Sequence, residues 1–146
     1  MIKIIAVGKL TQKYLKEGIE HYQKQIPHEV VWVEVKDEKD QHGMEIEALR
    51  IAKHIKDQDM VIALAIEGKL LTSESFSKLI EQSQHHQGQM VFVIGGSYGL
   101  SETIKKRAQH MVSLSLMTFP HQLVRVMLME QLYRGFAILK NHPYHK

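Results

Sequence analysis

Residues 90–101 read Met-Val-Phe-Val-Ile-Gly-Gly-Ser-Tyr-Gly-Leu-Ser. The five unbroken apolar residues have the length of a strand and present no polar face, so the strand they predict is buried on both sides. Three glycines within the next five residues end it, and Ser101 stands where a helix N-cap belongs. A strand that runs through a glycine turn into a helix is the joint of a parallel sheet, because a parallel neighbour is reached only by a crossover.

Working outward, the same alternation fills the chain. Further strands are predicted at Ile2–Val7, Val30–Val35, 60–66 and 111–114, each a short run rich in β-branched residues. Helices are predicted over 14–25, with Leu15, Ile19 and Tyr22 on one face, and over 44–55, with Ile46, Leu49, Ile51, Ala52 and Ile55 apolar. Ser73 is placed to cap a third ahead of Phe76, Leu79 and Ile80, a short helix spans 102–109, and a last one starts near Pro120 and runs to about Leu139. The fold class is therefore α/β, a mostly parallel sheet covered on both faces, in one domain spanning 1–146. The charged connector at 36–43 is too short to divide it.

Composition narrows the chemistry. None of the 146 residues is Cys, which excludes a disulfide framework, a thiolate zinc site and a Cys nucleophile, and fits a reducing compartment such as the cytoplasm. No apolar run reaches membrane-spanning length, and the apolar start is a strand rather than a leader. The net charge of +3 is unevenly spread, with seven Lys and Arg against two acids in residues 101–146. Such a basic third is a footprint of a polyanionic partner or merely a solvated face.

Twelve of the nineteen residues at 121–139 are apolar or aromatic. One apolar stripe suffices for a surface helix. This helix needs a second surface, and the expectation is a homodimer, with a helix threaded through its own core as the alternative. Gly135 in its interior points to a close backbone approach.

Three segments can carry chemistry. The Gly95-Gly96-Ser97-Tyr98-Gly99 turn lies at the carboxyl edge of a parallel sheet, where such folds bind ligands, although the spacing matches neither a dinucleotide fingerprint nor a P-loop. The run 113–126 leaves a strand through small hydroxyl residues and an apolar loop before Phe-Pro-His opens the last helix. Free backbone groups in an apolar loop suit an adenine ring and a thioether, and also suit a simply packed helix start. The tail, with Tyr133, Arg134, Tyr144 and His145, combines aromatic and cationic groups that stack on bases and contact phosphates. His142-x-x-His145 has Pro143 between its histidines and no carboxylate close in sequence, so no metal is expected. His85 and His86 fall in a polar loop and are expected to be exposed.

At FVIGGSYGLS (92–101), SLSLMTFPHQLVRVMLMEQLYR (113–134) and PYHK (143–146), the chain closely resembles the ribosomal large-subunit pseudouridine N3-methyltransferases. This is the RlmH, or YbeA-like, family of the SPOUT superfamily. The Ala6-Val7-Gly8-Lys9 opening and the Ile66-Glu67-Gly68-Lys69 turn extend the resemblance over the whole chain. It implies a C-terminal trefoil knot, a homodimer, and transfer of a methyl group from S-adenosylmethionine to a pseudouridine of 23S ribosomal RNA in a stem-loop of assembled ribosomes. Carried over by motif, the cofactor residues are Leu64, Gly95, Leu114, Ser115, Leu116, Met117, Thr118 and Phe119. The loop at 36–43 is shorter than in the family, and Tyr98 and Gly135 stand where other residues are expected.

For the reaction itself, the imide proton at the target nitrogen calls for an acceptor, with His145 and Tyr144 as candidates. Arg125 and Arg134 are candidates to orient phosphate or stabilise developing negative charge, or else to pair at an interface, for instance with Glu130. Two other functions are carried forward: a SPOUT methyltransferase acting on tRNA, and a non-catalytic RNA-binding or ribosome-assembly protein.

Overall fold

The structure, a computed structural model, describes residues 1–146. Five strands and five α-helices alternate: β1 Ile2–Val7, α1 Lys13–Gln23, β2 Val30–Val35, α2 Met44–Ala52, β3 Met60–Leu70, α3 Ser73–Gln84, β4 Met90–Ile94, α4 Glu102–Arg107, β5 His110–Ser113 and α5 His121–Leu139. One turn of 3-10 helix, Gln41–Gly43, leads into α2. All four strand pairings are parallel, in the order β2-β1-β4-β3-β5. The sheet follows from period-two alternation in strands that are apolar on both faces. Ile4 and Ala6 of β1, Ile62 of β3 and Phe92 of β4 look toward α1, α3 and α5. Ile5, Val7, Val61, Ala63, Val91 and Val93 look toward α2 and α4. The result is three layers, with helices on both faces.

The strand β3 departs from regularity in a way that matters later. Leu64 and Lys69 both align with Val112 of β5, so residues 65–68 arch out of the sheet as an excursion before pairing resumes. A Cβ on Gly68 would lie 2.7 Å from both the backbone nitrogen and the carbonyl carbon of Val112, so only glycine permits this close return. The strand expected over 60–66 therefore continues to Leu70.

Three other expectations change. The cap of α3 is Thr72 rather than Ser73, its hydroxyl accepting from the Ser75 amide at 3.0 Å. Ile46 and Leu49 of α2 are exposed, because Ala48 and Ile51 face the sheet and the helix stops at Ala52. Pro120 precedes the first turn of α5 instead of occupying it. The expected cap at Ser101 is present, and His85 and His86 are exposed.

Helix α5 lies between α1 and α3 against the sheet. Leu128, Met129, Leu132 and Phe136 face inward, each burial stabilising the fold by about 2 kcal/mol. The Cβ that Gly135 lacks would meet Ile80 Cδ1 of α3 at 2.5 Å, which is the close approach expected there. The chain thus supplies part of the second surface itself. Leu123, Val126, Met127 and Tyr133 remain half-buried.

Candidate functional site

A cavity of about 720 Å³ opens beyond the carboxyl ends of β3, β4 and β5. Leu64 and Ile94, the last pair of β3 with β4, form its apolar base together with Val112 of β5. One wall is the glycine turn, closed by a bond from the Gly99 amide to the Gly96 carbonyl at 3.0 Å, with Gly99 at φ 82°. A Cβ on Gly95 would fall 2.6 Å from the Gly99 carbonyl carbon, so the turn folds directly onto a residue that must lack a side chain. The motif is a tight turn and a cavity wall together.

The opposite wall is the loop after β5, stitched by its own hydroxyls. Ser113 Oγ donates to the Ser115 carbonyl at 2.8 Å, and Ser115 Oγ accepts from the Met117 amide at 3.0 Å. These local bonds hold an extended apolar loop that would otherwise leave its backbone unpaired. His121 and Val124 from the start of α5 and the β3 excursion complete the enclosure. Of the eight residues expected around a cofactor, Leu64, Gly95, Leu114, Ser115, Met117, Thr118 and Phe119 line this cavity. Leu116 does not, and stands 77% exposed.

The candidate catalytic residues divide. Arg134 and Tyr144 gather on Glu130, and His145 reaches Arg134 and Glu74. Arg134 reaches Glu130 through Nη2 at 2.6 Å and Nε at 3.2 Å, and the Tyr144 hydroxyl donates to the same carboxylate at 2.6 Å. The guanidinium carbon of Arg134 lies 4.7 Å from the Tyr144 ring centroid, and Tyr133 packs on Tyr144 at 4.4 Å. His145 Nδ1 is 3.0 Å from Arg134 Nη1, which can only donate, so the ring proton is assigned to Nε2, 2.7 Å from Glu74 Oε1. Arg125 is elsewhere. Only 1% of its side chain is exposed, with Nη1 on Glu34 at 2.6 Å and Nη2 on the carbonyls of Gly8 and Val7 at 2.9 and 3.3 Å. A guanidinium enclosed in this way clamps β1 and β2 to α5 and has no path to a phosphate, which corrects the role expected of it.

None of the four lines the cavity. A second hollow of about 350 Å³ shares Val112, Ser113 and Leu114 with it and ends at Glu130 and Gln131, the anchor of the tail. Burial pushes the Tyr144 phenol up to about 12, helped by its bond to the Glu130 carboxylate. Burial alone would raise Glu130, but the bonds from Arg134 and Tyr144 outweigh it and hold the carboxyl below its usual range. His121 is lowered by burial and by the nearby Arg125. No group of three or more His, Asp or Glu is placed to hold a metal ion.

Residues 1–145 match the sequence family described as "Predicted SPOUT methyltransferase". The chain belongs to that family. This SPOUT methyltransferase is 48% identical to the ribosomal RNA large subunit methyltransferase H of Streptococcus agalactiae serotype III (strain NEM316), over 99% of each chain. It is 46% identical to the protein of that name from Streptococcus pneumoniae (strain CGSP14), again over 99% of each. Its fold is similar to that of a "probable methylase family protein" from Haemophilus influenzae Rd KW20, with TM-score 0.61 and 12% identity over 99% of this chain and 70% of that one. It is also similar to the SpoU methyltransferase AviRb from Streptomyces viridochromogenes, with TM-score 0.51 and 10% identity over 97% and 61%.

Sequence reasoning named Glu130 as a partner for an arginine at an interface, and missed the other acidic partners of this SPOUT methyltransferase. Glu130 and Arg134 are four apart on a helix, a spacing that pairs them locally, and their pairing lies within the chain. Glu34 with Arg125, Glu74 with His145 and Glu67 with Lys105 are brought together only by the tertiary fold. Of the seven cations in the last third, Arg107 is turned onto the carbonyls of Lys56, Asp57 and Asp59, and Lys105, Arg125 and Arg134 are in ion pairs. Lys106, Lys140 and Lys146 are left exposed to a polyanion.

Proposed function

We propose that this chain transfers a methyl group from S-adenosylmethionine to 23S ribosomal RNA, at N3 of a pseudouridine in the assembled ribosome. It would do so in the cytoplasm, as a single-domain protein acting as a homodimer whose knotted C-terminal part forms the cofactor site. The observation that carries the reading is that seven residues drawn from three separate segments, each named by motif, line one cavity at the carboxyl edge of the sheet. Support for the RNA substrate comes from the full-length relatives named as ribosomal RNA large subunit methyltransferases.

The residues present fit the cofactor. The volume is that of a cofactor pocket, the base is apolar for an adenine ring, and the backbone of the two loops offers donors and acceptors. When bound, the cofactor supplies a methyl group already activated on a sulfonium. Leu64, Val112 and Phe119 would exclude water, and the 114–119 loop would orient the ring. His145 and Tyr144 would stand at the imide, His145 accepting its proton and the Tyr144 hydroxyl donating, while Arg134 orients phosphate. In their own chain Arg134 and Tyr144 lie on Glu130 and His145 lies between Arg134 and Glu74, all outside the cavity. A two-fold partner would bring a second tail to each cavity, and the half-buried Leu123, Val126, Met127 and Tyr133 suit that contact.

Incubating the protein with tritiated S-adenosylmethionine and whole ribosomes, then mapping the label, tests the proposal. Label in one large-subunit pseudouridine is expected. Label taken up by tRNA instead, or calorimetry showing no cofactor binding, overturns it. The Tyr144→Phe, His145→Ala double variant is expected to lower turnover at least tenfold with cofactor affinity little changed.

A further inference from the structure

The cavity has an apolar base, hydroxyl-bearing walls and fully charged side chains at one place. Glu67, on the β3 excursion, and Lys105, on α4, are the only Asp, Glu, Lys or Arg that line it. They form an ion pair with each other, and Lys105 Nζ also lies 3.6 Å from Glu102 Oε1. Lys105 keeps 19% of its side chain exposed and Glu67 46%, so the pair stands at the rim, between the apolar interior and water. An ion pair this exposed adds little to stability.

The methyl donor has two dissimilar parts. Its adenine is a flat ring that packs on apolar side chains, and belongs inside. The amino acid end carries a carboxylate and an ammonium side by side, and binds well only where both are met by opposite charge or water. We infer that Lys105 and Glu67 are the specificity subsite for this amino acid end, Lys105 taking the carboxylate and Glu67 the ammonium. The exchange is ion for ion: each side chain leaves one partner of opposite charge for another, and no charge is stranded. Glu102 stays beside Lys105 throughout. Together the three side chains carry one net negative charge, opposite to the single net positive charge of the donor. The Glu67 carboxyl is held below its usual range by the hydrogen bond from Lys105, and the Lys105 ammonium is held above its own by Glu67. Both are therefore ionised at neutral pH.

This inference rests on the methyltransferase reading, and calorimetric titration separates the two. The probes are S-adenosylhomocysteine and 5′-methylthioadenosine, which share adenosine and thioether but only the first of which has the amino acid. Lys105→Met is expected to weaken S-adenosylhomocysteine about tenfold, the worth of one charge-assisted contact, and to leave 5′-methylthioadenosine within about twofold. Lys105→Arg should restore most of the loss. Glu67→Gln, nearly isosteric, should show the same selective weakening and serves if Lys105→Met does not fold. Equal weakening of both probes would mean that the pair only braces the excursion, and no weakening of either would mean that it faces solvent; each overturns the inference alone. Wild-type protein that binds neither probe removes the reading beneath it.

Discussion

Arg125 is the largest of the fully buried side chains, and its Nε has no partner. Its charge is tolerable only because Glu34 and two carbonyls surround the rest of the guanidinium. The two ends of the pair are unequal, since the Glu34 side chain is 39% exposed and can turn to water. Glu34→Ala, which strands a buried cation and frees the Leu10 amide, should cost about 3 kcal/mol in urea unfolding. Arg125→Met removes the charge with its unpartnered nitrogen and should cost clearly less. Equal losses would show that the enclosure matters more than the charge. Sequence alone placed Arg125 wrongly for a physical reason. Arginine is usually exposed, and its partner here is 91 residues away, so no local spacing announces it.

Among the elements, the short strands were the most legible. β1, β2 and β4 lie where their apolar runs placed them, because each run has the length of the strand and nothing else to do. β3 was read short, since the return of Lys69 and Leu70 to β5 depends on an alignment that no local pattern encodes. The cavity-lining residues were legible as motifs, but the Glu67–Lys105 rim was not, because excursion and α4 meet only in space. Two glycines separate these kinds of information. The Cβ of Gly135→Ala would meet the far end of Ile80, which can shift, while alanine favours the helix by about 1 kcal/mol, so stability should change by less than about that amount. The Cβ of Gly68→Ala would meet the Val112 backbone, which cannot yield, so a loss of about 2 kcal/mol or more is expected together with weakened ligand binding. Thermal unfolding of the two variants side by side checks the contrast.

At the scale of the whole molecule, acid titration should show two steps. His28 is lowered from its ordinary 6.5 by burial, with the amino terminus and Lys140 adding to it, and His121 is lowered by burial and Arg125. Below pH 6.5 the unfolded chain takes up these two protons while the folded chain resists them, so stability falls as pH drops. Glu67, Glu74 and Glu130 are held below their ordinary 4.5, so the stability they lend is present above that pH and lost on further acidification. On the acid side the melting temperature should therefore decline below about pH 6.5 and decline again below about pH 4.5, while the raised Tyr144 and Lys105 make it fall once more in strong alkali. His28→Gln with His121→Gln should flatten the first decline and leave the second; a first decline that persists in the double variant would assign it to other groups. The arch of β3 has a consequence at this scale too. Because Leu64 and Lys69 both meet Val112, the feet of the arch stand side by side, and lengthening such a loop raises its closure cost only slowly. Insertions ahead of Gly68 reshape the mouth of the cavity while every strand keeps its register, which leaves substrate choice free to drift on an unchanged scaffold.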